Sequence, residues 1–94
     1  MIKIFYSSHF TRSLKKLPTS VRQEADRGER QFREDPFTPA LKTHKLKGRH
    51  SELWSFSITY QHRIVFRFLD NHAVLFIRLR PKTLVLTRDE GRHE

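Results

Sequence analysis

The chain has 94 residues, 36% apolar and 12% aromatic, with 19 Lys/Arg against 10 Asp/Glu, a formal charge of +9 and no cysteine. That length fits one small domain with a modest core, and the absent thiols exclude a disulfide framework, thiolate zinc sites and a cysteine nucleophile. The longest apolar run, Ala73 to Ile77, falls far short of the roughly 20 residues of a membrane span, so the expectation is a soluble, cytoplasmic polycation without a signal peptide.

In chain order, Ile2, Ile4 and Tyr6 alternate with Lys3, Phe5 and Ser7, which predicts a short opening strand. Ser7 or Ser8 can cap a first helix carrying Phe10, Leu14 and Leu17 on one face, ended by Pro18. Ser20 with Gln23 matches a capping box, and Val21, Ala25, Gly28 and Phe32 continue a helical stripe to Glu34. Gly28 costs this helix about 1 kcal/mol of propensity, which close packing on a neighbour explains. Asp35-Pro36 and Pro39 open a loop. The period then changes to two. Trp54, Phe56, Ile58 and Tyr60 predict a half-buried strand, with a tight connection at Tyr60-Gln61. Ile64, Phe66 and Phe68 mark a second strand, Asp70-Asn71 a turn, and Ala73 to Arg80 a third strand ended by Pro81. Leu84 to Thr87 can add a short strand, and residues 88–94 read as a polar tail. The fold expected is α+β: one domain over residues 1–94, with two N-terminal helices on one face of a small, mainly antiparallel sheet.

Charge is uneven along this layout. Residues 41–82 hold nine Lys/Arg against only Glu52 and Asp70, a net of +7. If the aromatic face meets the helices, Ser55, Ser57, Arg63, Arg67, Arg78 and Arg80 share the other face or its edge. Arginines on rigid strands without facing carboxylates suit a phosphate backbone, so the expected partners are nucleic acid or an acidic protein. A polar outer face of an ordinary two-layer fold is the plainer alternative.

The stretch Leu41-Lys-Thr-His44-Lys-Leu46-Lys-Gly48, then Leu53-Trp54-Ser55, then Tyr60-Gln-His62-Arg63-Ile64-Val65-Phe66 resembles the RelE/ParE superfamily, toxins of bacterial type II toxin–antitoxin modules. The Phe10-to-Pro18 helix fits as well, and the likeness covers roughly residues 2–86. It implies a small antiparallel sheet backed by two N-terminal helices. It also implies a toxin that cleaves mRNA on the ribosome, as most RelE-like members do, without metal and through attack of the ribose 2′-OH. ParE-like members instead poison DNA gyrase without cutting RNA, and that alternative stays open, as does a catalytically degenerate RNA-binding member.

By the same resemblance Arg63 matches the arginine that contacts the scissile phosphate, and His44 a histidine that some branches use as acid or base. Imidazole titrates near pH 6.5, which suits proton transfer. Lys45, Lys47 and Arg49 are expected to bind phosphate or ribosomal RNA, together with His50, Arg67, Arg78 and Arg80. The family's usual last-strand ending, Gly-x-His-(x)2-Val-Tyr, is here Arg80-Pro81-Lys82-Thr83-Leu84-Val85-Leu86. Lys82 falls at the histidine position and can stabilise charge; Leu86, at the tyrosine position, can neither move a proton nor stack. Carboxylates near Glu52 serve as base in some branches. His9, His62 and His72 lack metal-ligand spacing, and the basic segment has no carboxylate cluster for a two-metal route, so neither metal nor other cofactor is expected. Alternation with Phe56 favours core packing over base stacking for Trp54 and Tyr60. The partners implied are an acidic antitoxin, in a hetero-oligomer with the toxin, and ribosome-bound mRNA.

Overall fold

A computed structural model describes residues 2–48 and 52–82. In it, β1 (Lys3–Tyr6) leads to α1 (Ser8–Lys15) and α2 (Thr19–Glu34). A 3-10 turn (Pro39–Leu41) and a two-residue strand β2 (His44–Lys45) follow. β3 (Trp54–Ser57), β4 (His62–Asp70) and β5 (Ala73–Pro81) complete the described elements. The sheet order is β1-β5-β4-β3-β2; all neighbours are antiparallel except β1 and β5, which run parallel. No helix among the described residues is long and apolar enough to cross a membrane.

The helix starts illustrate which local signals operate. Ser7 caps α1, its hydroxyl accepting from Phe10 N at 2.9 Å, as expected for a residue that satisfies an orphan N–H. The Ser20/Gln23 capping box does not form. α2 begins two residues earlier than a Ser20 cap would set it, at Thr19, because Pro18 occupies the cap position with its fixed φ of −58° and its carbonyl takes the first bonds, from Val21 N and Arg22 N, both at 3.0 Å. In the last turns of α2, Arg33 binds Glu29 at 2.9 Å and reaches Ile2 O at 3.4 Å. Tyr6 of β1 donates to the same Glu29 carboxylate, and burial together with that bond pushes its pKa up to about 12. The helix is thereby tied to the sheet edge.

The core lies between the helices and one face of the sheet. Phe32 is fully buried and packs its ring on Phe56, Phe66 and Phe76 at centroid distances of 4.8, 4.9 and 5.4 Å. Strict alternation along β5 would set Phe76 on one face with Arg78 and Arg80. A bulge prevents this: Val65 pairs with Arg78 but the next residue, Phe66, pairs with Phe76, so Ile77 is extra. Phe76 and Leu79 consequently both enter the core, and the arginines turn to the opposite face.

That opposite face is only partly open, a correction to the pleat reading. Leu46 and Leu53, joined by Leu46 N to Leu53 O at 2.8 Å, lie over Val65 in a second small apolar cluster. Ser55 beside it is 0% exposed, its hydroxyl without a hydrogen-bond partner among the described residues. Two further differences concern turns. β3 stops at Ser57 rather than running to Tyr60, and the β4–β5 turn falls at Asn71–His72, where the Asp70 carboxylate accepts from His72 N at 2.7 Å.

Gly28 is required by contact, not by backbone conformation. A Cβ there would stand 2.9 Å from Ile58 Cγ2 and 3.6 Å from the Phe56 ring. Gly28→Ala gains about 1 kcal/mol of helix propensity but overpacks a site where such insertions cost about 1–3 kcal/mol. The expected outcome is a lower urea midpoint in the wild-type background and a raised one in an Ile58→Ala background; a double-mutant cycle measures the difference.

Candidate nucleic-acid interface

A cleft of about 300 Å³ opens at the β3–β4 hairpin end of the sheet. α2 walls one side with Glu24, Arg27, Gly28 and Gln31, spaced i, i+3, i+4 and i+7 and so forming one stripe of the helix. Lys42 enters from the turn after Leu41, in a left-handed conformation with φ of 52°. A non-glycine residue there carries about 1–2 kcal/mol of strain. The opposite wall consists of Ser57 to Tyr60, Arg63 and Lys82.

Four cationic side chains thus meet one carboxylate, and Glu24 is already held by Arg27 at 2.6 Å. Lys42, Arg63 and Lys82 have no carboxylate partner among the described residues. Arg63 is anchored through Nη1 to Thr59 O at 3.3 Å and His62 O at 3.5 Å. Partial burial pulls its pKa below the usual guanidinium range, with Tyr60 opposing the shift. A guanidinium that has lost part of its hydration without gaining a carboxylate is a favourable place for an anion. Lys82 donates its backbone N–H to Gln61 O at 2.6 Å and holds its ammonium 4.4 Å from the Tyr60 ring centroid. The Ser57 hydroxyl, opposite Arg63 in the ladder, is buried and lacks a hydrogen-bond partner among the described residues.

Of the residues singled out from sequence, the structure brings Arg63 and Lys82 into this cleft and distributes the others. His44 is exposed on β2, its Nδ1 3.1 Å from Lys42 O; it pairs with Ser55 but does not line the cleft. Lys45 turns to the helix-covered face, with Nζ 6.0 Å from the Trp54 ring centroid. Lys47 is exposed on the loop beyond β2, and Arg67 is exposed opposite Leu75. Arg78 and Arg80 pair with Val65 and Arg63. Their charges, with that of Arg12, reinforce the desolvation that lowers the His9 pKa, so α1 flanks this end of β5. His62 closes the hairpin through Thr59 Oγ1 at 3.0 Å. Arg49, His50 and Leu84 to Thr87 lie outside the described residues, as does the tail over 88–94. Among the described residues no three His, Asp or Glu side chains gather as metal ligands do.

Sequence reading missed Glu24, Arg27, Gln31 and Lys42. A signal existed for the first three, since their stripe adjoins Gly28, the position where the helix approaches the sheet most closely.

The arrangement of helices and sheet occurs in known structures. The YoeB/ParE toxin from Agrobacterium tumefaciens superposes with a TM-score of 0.71 at 21% identity, over 85% of this chain and 98% of that one. The chain has the RelE/ParE toxin fold. YafQ from E. coli strain BL21(DE3) matches with a TM-score of 0.72 at 13% identity, covering 90% and 98% of the two chains. RelE in the archaeal RelE–RelB complex from Pyrococcus horikoshii OT3 matches at 0.71 and 13%, covering 86% and 94%. No protein-family model and no curated protein matches the sequence. On this toxin fold the basic cleft is formed by the chain's own combination of α2 polar residues, Lys42, Arg63 and Lys82.

Proposed function

We propose that the chain is a type II toxin of the RelE-like branch: a ribosome-dependent endoribonuclease acting without metal and silenced by an acidic antitoxin. The observation that carries this reading is the cleft in which Arg63 and Lys82 stand together with two further cations and a single, already paired carboxylate. In-line attack of a ribose 2′-oxygen on the adjacent phosphorus expels the 5′-oxygen and concentrates negative charge on the phosphoryl oxygens. Arg63 offers them a planar two-pronged donor, and Lys82 a point charge for the departing oxygen. His44, exposed on β2 with its Nδ1 3.1 Å from Lys42 O, is assigned the proton at the 2′-OH. The solved RelE–RelB complex supports a protein partner, and the excess of cations favours an acidic one.

The test is incubation of the purified chain with translating ribosomes and mRNA, repeated with 2′-deoxy substitution at the cut sites. Cleavage of the all-ribo message that disappears on deoxy substitution is expected. No cleavage at all overturns the enzyme reading, and cleavage of the deoxy message overturns 2′-OH attack. The second reading, a ParE-like gyrase inhibitor, draws on the lack of a histidine in the described cleft lining; it requires growth inhibition with mRNA intact and supercoiling blocked.

A further inference from the structure

Tyr60 is the feature that folding does not explain. Sequence alternation places it in the core, yet it is 80% exposed, the most exposed large apolar side chain among the described residues. It also sits on a stiff support. Thr59 Oγ1 accepts from Gln61 N at 3.1 Å and His62 N at 3.0 Å, and Ile58 N donates to His62 O at 3.1 Å, which fixes the hairpin tip. From the other side, Lys82 N bonds Gln61 O at 2.6 Å and the Lys82 ammonium stands over the ring. Tyr60 and Lys82 line both the cleft and a second hollow of about 390 Å³, formed with Gln61 and Pro81. A rigid, exposed aromatic ring between two hollows, with cations on the adjoining wall, has the makings of a stacking site for single-stranded nucleic acid.

We propose that Tyr60 is the nucleobase platform of this cleft, stacking one unpaired base of the RNA while Lys82 and Arg63 hold the neighbouring phosphates. The inference rests on the ribonuclease reading and assigns it a positioning residue. Stacking needs a π-face but no particular base, so the platform positions the strand without selecting its sequence.

The experiment measures binding of the full chain to two short single-stranded oligonucleotides of equal charge, one 2′-O-methyl RNA and one with abasic sugars throughout. Wild type is expected to prefer the base-bearing strand by about 5- to 150-fold, the range one stacked base supplies. Tyr60→Leu should abolish that preference while leaving abasic binding unchanged, and Tyr60→Trp should preserve it. Arg63→Ala should weaken both strands alike. Tyr60→Leu retaining the wild-type preference, or wild type binding both strands equally, overturns the platform and leaves the ribonuclease reading standing. Failure of wild type to bind either strand overturns the platform and counts against RNA as the ligand.

Discussion

Arg63→Ala is expected to reduce single-turnover mRNA cleavage on ribosomes by about 100- to 1,000-fold, the usual cost of removing one donor aimed at developing charge. Arg67→Ala is expected to reduce it less than about 10-fold. Both arginines lie on the same face of β4, and both substitutions remove one charge from a strongly basic chain. Their positions differ. Arg67 is exposed opposite Leu75 and does not line the cleft. Arg63 does, with one guanidinium nitrogen held by Thr59 O and His62 O so that the group cannot swing freely. Its partial desolvation without a carboxylate means that an incoming phosphate replaces lost hydration, whereas a phosphate near Arg67 competes with bulk water. Arg63→Lys should restore little, because a point charge does not reproduce the two-pronged donor. Thermal unfolding of each variant checks that the fold persists. Equal losses at the two positions would mean that Arg63 contributes only general electrostatics.

The secondary elements with strong periodicity were readable before any coordinates. The stripe Ala25, Gly28, Phe32 and the alternations Phe56, Ile64-Phe66 place buried residues where the structure has them, while Val21 at the start of the same stripe is only half-buried. Features set by only one or two residues were not. β2 has two residues, too few for a period, and exists because its backbone pairs with β3 at His44↔Ser55 and Lys45↔Trp54. The Ile77 bulge is invisible in a pattern that reads continuously through it. Tyr60 was misplaced because alternation from Trp54 continues past the point where the Thr59 hydroxyl captures two backbone N–H groups and ends the strand. The cleft illustrates the same limit at a larger scale. Arg63 and Lys82 were identified by resemblance, but their meeting with α2 depends on the tertiary approach of Gly28 to Ile58.

That dependence leads to the second large effect. Phe32→Ala is expected to destabilise the protein by about 3–5 kcal/mol, a large share of the roughly 5–15 kcal/mol available to a domain of this kind. Phe32 is 0% exposed and stands among Phe56, Phe66 and Phe76, one ring on each of the three central strands. Removing a fully buried ring loses its transfer free energy and leaves a cavity, so both contributions apply. Phe37 provides the contrast: it also touches two aromatic residues, Trp54 and Phe68, but is 54% exposed. Phe37→Ala should therefore cost about 1 kcal/mol or less, since most of its surface already faces water. Urea denaturation with an unchanged slope and a shifted midpoint distinguishes the two. The functional consequence follows from position along α2. Glu24, Arg27 and Gly28 stand one and two turns before Phe32, so the side chain that anchors the helix also holds the wall of the cleft. Phe32→Leu, which retains much of the volume, should recover most of the stability and of the cleavage together. Recovery of stability without cleavage would mean that the helix wall requires the aromatic ring itself to set its distance from Arg63.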